Sequence, residues 1–200
     1  MIVPARTLQE LLRILSGYKR SQSGDEITGK SLAEGDEIEV YLSENQILFS
    51  FDSMELVSRT IEGQYPNYRQ IIPSEHKTKA ILSVPGFVKT VKTASLFSKS
   101  GIFDINLDFI PADQEIEISS VNNQLGESNT RLETEISGEN NKITVNYRYL
   151  LDGLQNIGSD LISFEVTNDS TACLLRPLRK DDGETKPMPG YLYIIMPIKQ

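Results

Sequence analysis

The sequence is short of cysteine, of histidine and of long apolar runs, and these shortages exclude several classes of protein. One cysteine, Cys173, cannot form an internal disulfide framework and fits a reducing cytoplasm. No run approaches the ~20 apolar residues of a membrane-spanning helix, and the N-terminus lacks the pattern of a signal peptide. We therefore expect a cytoplasmic protein without a membrane partner, in which Cys173 packs as a small core residue.

Catalytic and metal-binding patterns are also scarce. The only histidine, His76, has no Cys or Ser at a spacing that is typical of a catalytic site. The sequence also contains neither a phosphate-binding glycine loop nor a zinc-ligand spacing. The pairs Glu115/Glu117 and Glu133/Glu135 each project to one face of a strand, which leaves a metal site or a carboxylate-based hydrolase open. The simpler interpretation is that these glutamates lie on the solvent-exposed faces of strands. We expect no catalytic residue, no metal and no cofactor.

Charge is segregated along the chain, although the net charge is −8. Residues 76–103 contain five lysines and no acid, whereas residues 104–141 contain nine acids and one arginine. Residues 1–23 carry four basic side chains and one acid. A polyanion responds to the local field of such segments more than to the total charge. The pattern therefore indicates basic surfaces that are separate from acidic ones.

Hydrophobic periodicity predicts two β-rich units. The first begins with a helix whose leucines recur at helical spacing, with Thr7 as N-cap, Glu10 as its capping-box partner and Gly17 at its end. Residues 20–35 are predicted to form a mobile loop. Three strands then follow over 37–42, 46–51 and 55–61.

The second unit is predicted to contain the same arrangement twice. A helix opens near Ser83 and buries Phe87, Val88, Val91 and either Ala94 or Ser95, with Lys89, Lys92 and Lys99 opposite most of that stripe. Four strands (102–110, 114–121, 130–137, 142–147), a helix (148–157, with Gly158 as C-cap) and three strands (161–167, 171–176, 191–196) follow, with a charged loop over 179–186. This is an internal duplication, and the first unit contains one half of it: strand, helix and three strands.

The last eleven residues form an apolar strand that ends abruptly. Residues 191–196 are apolar on both predicted faces, and Pro197 then stops the ladder because it has no N–H to donate. Ile198 follows with nothing in the sequence to cover it. An apolar tail beside a core strand predicts a docking surface.

Four motifs in order carry a family resemblance. Residues 2–11 read Ile-Val-Pro-Ala-Arg-Thr-Leu-Gln-Glu-Leu, and residues 62–73 read Glu-Gly-Gln-Tyr-Pro-Asn-Tyr-Arg-Gln-Ile-Ile-Pro. Residues 146–152 read Asn-Tyr-Arg-Tyr-Leu-Leu-Asp, and residues 193–198 read Tyr-Ile-Ile-Met-Pro-Ile. Over essentially all 200 residues the chain resembles the bacterial DNA polymerase III β subunit, the replicative sliding clamp.

The resemblance implies an α+β DNA-clamp fold, in which duplicated helix-plus-antiparallel-strand units place curved sheets outside and helices inside. It implies that residues 1–62 are the second half of the clamp's middle domain, 63–73 an extended interdomain linker and 74–200 the C-terminal domain. The family's N-terminal domain and its A-T-D-x-x-R-L segment have no counterpart in the sequence. We therefore expect a fragment of a longer clamp.

The resemblance also implies function: a non-catalytic processivity factor that encircles duplex DNA without sequence preference. It implies docking of peptides from DNA polymerase III alpha, other polymerases and the clamp loader. Nonspecific phosphate contact calls for basic side chains on the helices. The best candidates for it are Arg6, Arg13, Lys89, Lys92 and Lys99.

The implied peptide groove is a hydrophobic slot with a few polar tips. Its implied residues are Pro66, Ile71, Asn146, Tyr149, Ser170, Ala172, Ile194, Met196, Pro197 and Ile198. Leu96 and Phe97 are implied to lie at the subunit interface of a homodimeric ring in the full-length protein. We expect this fragment to be a monomer, or a non-native dimer in crystals, because the domain that completes the ring contact is missing. A β-rich protein-interaction module without a DNA role stays open as an alternative, as does the hydrolase.

Overall fold

The computed structural model describes residues 1–21, 37–65, 67–181 and 183–199. The chain divides into two compact units, Met1–Asn67 and Tyr68–Gln200. The division falls within the predicted linker, of which Tyr68–Ile71 forms a short 3₁₀ helix and is not extended as expected. Residues 22–35 of the predicted loop lie outside the described residues. Within the described ranges, no helix combines the length and the apolar character that crossing a bilayer requires.

The described part of the first unit contains one helix and one antiparallel sheet. Its elements are α1 (Ala5–Ser21), β1 (Glu39–Leu42), β2 (Gln46–Phe51) and β3 (Met54–Arg59), and the sheet has the order β1-β2-β3. The buried residues of the sheet are Ile47, Phe49 and Phe51, which alternate along β2. The first strand predicted before the helix is reduced to a single antiparallel bridge between Ile2 and Ile61.

Helix α1 begins and ends elsewhere than predicted. It starts at Ala5, directly after Pro4, and it passes through Gly17 to Ser21, so the predicted N-cap and C-terminus are wrong. Thr7 lies inside the first turn, and its hydroxyl is 2.6 Å from that of Ser58 on β3. A proline just before a helix fits its fixed φ, and the tertiary hydrogen bond occupies the hydroxyl that would otherwise have capped the helix.

In its described residues, the second unit contains two α-helices and two sheets besides the short 3₁₀ helix. Its elements are β4 (Thr78–Ser83), α2 (Val84–Ser95), β5 (Asp104–Ile110), β6 (Glu115–Asn122), β7 (Gly126–Glu133), β8 (Glu135–Gly138), β9 (Asn141–Asn146), α3 (Tyr147–Gln155), β10 (Leu161–Val166), β11 (Cys173–Asp181), β12 (Glu184–Pro187) and β13 (Tyr193–Ile195). One sheet has the order β12-β11-β10-β4-β8, with β13 also paired to β11, and the other has the order β7-β6-β5-β9.

Several boundaries in this unit correct the sequence prediction. Strand β4 was not predicted, and the strand expected over 130–137 is divided at Thr134 between β7 and β8, in different sheets. The expected charged loop 179–186 is the hairpin of β11 and β12. The last strand ends at Ile195, and α3 ends at Gln155 with Asn156 as its C-cap. Cross-strand pairing decides these boundaries, which single-chain periodicity does not register.

The two halves of the second unit exchange their first strands. Strand β4 precedes α2 but pairs with β10, which follows α3. Strand β9 precedes α3 but pairs with β5, which follows α2. Each half is therefore a repeat of first strand, helix and further strands, and each sheet contains strands of both repeats. This arrangement is the internal duplication that the element order predicted.

The core of the second unit lies between its helices and its sheets. Phe109 packs edge-on against Phe164 with ring centroids 5.4 Å apart, and Phe87 of α2 lies 6.0 Å from the same ring. All three side chains are fully buried, and burying one such side chain contributes about 1.5–3 kcal/mol. Cys173 also lies in this core, as expected. The core fixes α2, α3 and the C-terminal strand relative to one another.

Candidate functional site

Asn146 shapes the start of α3, where the predicted groove begins. Its Oδ1 accepts a hydrogen bond from the Arg148 amide at 2.9 Å, and its Nδ2 donates to the Ile102 carbonyl at 3.2 Å. The side chain is thus an N-cap that also ties α3 to the segment before β5.

Tyr149 is held at the surface by the C-terminal strand. The hydroxyl of Tyr193 donates to the Tyr149 carbonyl at 2.9 Å, while 62% of Tyr149 is exposed. Burial raises the pKa of Tyr193 above its ordinary value, and the protonated hydroxyl is the donor of this bond. The contact joins α3 to β13. The exposed ring of Tyr149 is therefore positioned by its backbone and left free on one side.

The C-terminal tail is anchored more firmly than the sequence suggested. Ile194 pairs with Leu174 of β11, Met196 is 56% exposed, and Pro197 is buried. The Ile198 amide donates to the Thr144 carbonyl of β9 at 2.7 Å. The expectation that nothing covers Ile198 is wrong, because this hydrogen bond fixes its backbone and its side chain is partly buried. The exposed apolar residue of the tail is Met196.

A pocket of about 360 Å³ lies beside this tail. Its lining residues are Lys142, Ile143, Thr144, Asp169, Ser170, Ile198 and Lys199. Ser170 and Ile198 were predicted for the groove. The sequence analysis did not predict Lys142 and Lys199 for this site. Lys199 directly follows the recognised C-terminal motif. Lys142 reaches the same pocket because the tail is hydrogen-bonded to β9. Asp169 also lines this pocket, so the pocket contains both positive and negative charges.

The remaining groove predictions divide into three cases. Ala172 is 3% exposed and supports the wall without offering surface to a ligand. Ile71 lies on the short 3₁₀ helix with 52% of its surface exposed, and its place in the groove stays a prediction. Pro66 lies outside the described residues.

The basic residues of the second unit do not all lie on one helix. Lys89 and Lys92 are exposed on α2, where they border a shallow depression together with Val88 and Leu96. Helix α2 ends at Ser95, so the prediction that Lys99 lies on the same helix face is wrong. Lys99 is exposed in the turn beyond the helix. Within the part of the chain that the structure describes, no carboxylate forms an ion pair with these three lysines.

The acidic residues lie on the other side of the sheet that α2 covers. Strands β5 and β6 alternate, with their apolar residues in the core and their acids turned away from it. Arg131 on β7 binds two of these acids, Glu115 at 3.1 Å and Glu117 at 3.5 Å. The segregation seen along the sequence is therefore also a segregation between the two faces of one sheet. Such a field attracts a polyanion to the helix side.

In the first unit, the two predicted arginines differ. Arg6 is exposed, whereas Arg13 is engaged by Glu10 through Nε at 2.9 Å. The Arg13 hydrogen bond holds the pKa of Glu10 below its ordinary value, so Glu10 stays ionised and offsets the charge of Arg13. Arg148 was missed by the sequence analysis. It is the second residue of α3, as Arg6 is of α1, and its guanidinium carbon lies 3.5 Å from the centroid of the Phe103 ring.

The predicted interface residues also lie past the end of α2. Leu96 is 69% exposed, and Phe97 is partly buried beside Gly126. Leu96 borders the same depression as Pro85 and Val88, so its exposed side chain is part of a small apolar surface. Its role in a ring contact stays a prediction.

His76 and the pair Glu115/Glu117, which were weighed for catalysis, are engaged in structural contacts. The prediction that Glu133 and Glu135 project from one strand is wrong, because they lie on β7 and β8 in different sheets. His76 Nδ1 lies 3.9 Å from Glu165, whose carboxylate is buried and also accepts hydrogen bonds from Ser163 and Arg176. Arg131 neutralises the pair Glu115/Glu117. The described ranges contain no group of three or more side chains that could hold a metal ion. This arrangement gives the hydrolase hypothesis no support.

Comparisons with known proteins agree with the motifs. Residues 69–191 match the family model described as DNA polymerase III beta subunit, C-terminal domain. Proteins named beta sliding clamp from Staphylococcus aureus and Staphylococcus epidermidis are 24% and 25% identical over 200 residues, which are the whole of this chain and 46% of each relative. The chain thus spans about half the length of the curated relatives that it matches.

Solved structures share the fold. A DNA polymerase sliding clamp from Pseudomonas aeruginosa superposes with a TM-score of 0.79 at 20% identity, over 99% of this chain and 47% of that one. A DNA polymerase III subunit beta from Bartonella birtlesii gives a TM-score of 0.77 at 25% identity, over 100% of this chain and 47% of that one. The α+β clamp fold predicted from the sequence is therefore confirmed.

Proposed function

Because this chain belongs to the DNA polymerase III beta subunit family, we propose that it acts as part of a sliding clamp, the processivity factor of a bacterial replicative polymerase. The longer protein encircles duplex DNA as a homodimeric ring and docks peptides of DNA polymerase III alpha, other polymerases and the clamp loader. It has no chemistry of its own, and it works in the cytoplasm. This chain supplies peptide-docking and DNA-facing surfaces.

The observation that carries the proposal is the surface formed by α3 and the C-terminal tail. Tyr149 and Met196 are exposed apolar groups, and both stand on backbone that other residues hold in place. The Ile198–Thr144 hydrogen bond anchors the chain just beyond Met196. Exposed apolar groups on a fixed backbone can bind an apolar peptide side chain with little ordering cost. Peptide capture needs these properties and no catalytic group.

The charge distribution supports the DNA-facing half of the proposal. A clamp must hold DNA without stopping on it, which calls for diffuse phosphate contact without base-specific hydrogen bonds. Lys89, Lys92 and Lys99 are exposed cations on the helix side of the second unit, and the acids lie on the other face of the sheet. Arg148 joins them as a further candidate on α3.

The ring contact is the third part of the proposal. Leu96 and Phe97, beyond the end of α2, lie at the edge that meets a neighbouring subunit in the complete ring. The depression that Leu96 borders together with Pro85 and Val88 supports this placement, because adjoining exposed apolar groups offer a surface that a neighbouring chain can cover.

A peptide titration tests the central claim. A fluorescently labelled peptide with a Gln-Leu-apolar pattern, titrated with the 200-residue chain, should bind saturably. A peptide of the same composition in scrambled order is the control. Affinity should fall short of that of a complete clamp, because the A-T-D-x-x-R-L segment that the family uses for part of the pocket is not in this sequence. Equal signals from the two peptides would contradict specific docking.

A further inference from the structure

A buried carboxylate lies on the face of the second-unit sheet that points away from the helices. Glu165 alternates with core residues along β10 and is 8% exposed. Its carboxylate accepts hydrogen bonds from the Ser163 hydroxyl at 3.1 Å and from Nε of Arg176 at 3.2 Å, and the His76 imidazole lies 3.9 Å away. Because a buried carboxylate is costly without a contacting cation, this group fixes the position of Arg176.

The guanidinium of Arg176 is held through one of its edges. Its Nε contacts Glu165, and within the described residues no acceptor takes a hydrogen bond from Nη1 or Nη2. Every buried side-chain nitrogen or oxygen in the described part of the chain has a hydrogen-bond partner, so these two nitrogens reach the surface. The side chain as a whole is 35% exposed. Two parallel N–H groups on a fixed plane are the geometry that binds a carboxylate bidentately.

Arg176 borders a pocket of about 450 Å³. The other lining residues are uncharged and mostly apolar: Pro187, Met188, Pro189, Gly190, Tyr191 and Leu192. Among these lining residues the guanidinium is the one charged group. A cation beside apolar groups suits a carboxylate that has an apolar neighbour.

The segment that forms the pocket wall is fixed at both ends. The Met188 amide donates to the Pro177 carbonyl of β11 at 2.8 Å, and the Tyr191 hydroxyl donates to the Gly153 carbonyl of α3 at 3.1 Å. The two prolines of the segment restrict its backbone further. A ligand therefore meets groups that are already in place, and little conformational entropy is lost when it binds.

The pocket adjoins the proposed peptide groove along the C-terminal strand. Leu192 lines the pocket, and Ile194, two residues later, is predicted for the groove. Ile194 pairs with Leu174 of β11, which points to the same face as Arg176 because side chains alternate along a strand. A peptide that lies along this face can therefore reach both sites.

We infer that Arg176 forms a subsite for an acidic residue at the apolar end of a docked peptide, an inference that rests on the proposed function. The Gln-Leu-apolar pattern has a polar end and an apolar end. The pocket beside Ile198 is bordered by charged side chains, whereas Leu192 and Ile194 are apolar. Matching polarity places the apolar end of the peptide at the Arg176 pocket. The carboxylate of the next residue, Asp or Glu, then accepts hydrogen bonds from Nη1 and Nη2.

The subsite acts by direct contact and not by a long-range field. Glu165 offsets the charge of Arg176, so the pair attracts a distant anion weakly. The two hydrogen bonds to the peptide carboxylate involve charged groups on both sides, and such bonds are stronger than neutral ones. The site should therefore select for the position of the acid in the peptide and not for net charge alone.

Titration of the 200-residue chain with three labelled peptides tests the preference. All share the Gln-Leu-apolar pattern and are amidated at the C-terminus, so that side chains supply the only carboxylates. The first carries Gln before the pattern and Glu after it, the second carries Gln at both places, and the third has Glu before and Gln after. The first should bind about tenfold more tightly than the other two, as expected for hydrogen bonds to a charged group.

Two variants of the chain assign the preference to Arg176. Replacing Arg176 alone by a neutral residue would leave Glu165 buried without its cation. Glu165→Gln with Arg176→Gln keeps a hydrogen-bonding pair and removes the guanidinium, and it should bind the first and second peptides equally. Arg176→Lys keeps a cation beside Glu165 without the planar fork and should lose most of the preference.

Arg179→Gln is the matched control. Arg179 lies on the same strand as Arg176, it forms an ion pair with Asp181 at 3.6 Å, and it does not line the pocket. This variant should keep the tenfold preference for the first peptide. The near-ultraviolet circular dichroism of all variants should match that of the unmodified chain.

The outcomes separate this inference from the proposed function. Equal binding of the first and second peptides to the unmodified chain would contradict the inference and leave peptide docking intact. A preference that persists in the double variant, or that Arg179→Gln removes, would place the acid elsewhere. Absence of binding by all three peptides would contradict the proposed function, and the inference with it.

Discussion

The ring of Tyr193 packs directly against Gly153 of α3, so that a Cβ built on Gly153 would lie 2.5 Å from Cε1 of the ring. Tyr191 adds a second contact, its hydroxyl donating to the Gly153 carbonyl at 3.1 Å. The absence of a side chain at one helix position therefore sets how closely α3 approaches the C-terminal strand. The same approach allows Tyr193 to reach the Tyr149 carbonyl and hold that edge of the proposed groove.

Gly153→Ala should lower the free energy of unfolding by about 1–3 kcal/mol, because the Tyr193 ring must move out of its packed position. Gly86→Ala is the matched control: Gly86 is also a helical glycine, but its Cβ would meet nothing closer than 3.8 Å. That variant should gain up to about 1 kcal/mol from helix propensity. Urea unfolding measures both changes, and equal effects of the two variants would show that the Tyr193 contact carries no strain.

Met196→Ala should weaken the binding of a Gln-Leu-apolar peptide by about tenfold, the ~1.4 kcal/mol typical of a central apolar contact. Deletion of residues 197–200 should weaken it further, because the Ile198–Thr144 hydrogen bond that anchors the tail is removed. Leu125→Ala is the control, as Leu125 is 64% exposed in the β6–β7 turn. Fluorescence anisotropy provides the affinities. Unchanged binding by the deletion variant would remove the tail from the groove.

Replacing Lys89, Lys92 and Lys99 together by Glu should abolish the retention of duplex DNA by this chain. Retention should be weak and independent of sequence, with a Kd of about 10⁻⁴ M or weaker, and five phosphate contacts predict a log–log salt slope of roughly −4 to −5. Lys180→Glu with Lys186→Glu, in the β11–β12 hairpin, is the control and should bind as the unmodified chain does. Electrophoretic mobility at several salt concentrations measures both, and the reverse pattern would contradict a DNA-facing α2.

Burial raises the pKa of Cys173 from 9.0 to about 12. Below pH 9 the thiol is protonated in both the folded and unfolded states and does not affect stability. Between about pH 9 and pH 12 only the unfolded state releases the proton, so this group lowers the free energy of unfolding as the pH rises.

Alkylation by iodoacetamide at pH 9 should therefore be at least ~100-fold slower in the folded chain than in guanidinium chloride, because thiolate is the reactive form. Glu127→Cys in a Cys173→Ala background places a thiol on an exposed position of β7 and should react rapidly in both conditions. Rapid reaction of the native Cys173 would mean that the β11 core opens readily.

The sequence by itself determined the duplicated order of elements and the two apolar helix stripes. The positions of Phe87, Val91, Leu150 and Leu154 are fixed by a 3.6-residue period that any chain segment shows without its neighbours. Charge segregation was equally visible, since the lysines and acids occupy separate segments. Family motifs then located the N-cap Asn146 and the tail around Met196.

The tertiary structure alone decided what depends on contacts between distant segments. Strand β4 is stabilised by its pairing with β10, and β11 and β12 are stabilised by pairing with each other. Thr7 does not cap α1, because its hydroxyl is hydrogen-bonded to that of Ser58, 51 residues away. The anchoring of Ile198 and the approach of Lys142 to Lys199 depend on the tail meeting β9. The apolar stripes of α2 and α3 are buried because these two helices, about 60 residues apart in the sequence, pack together, which periodicity within one segment does not encode.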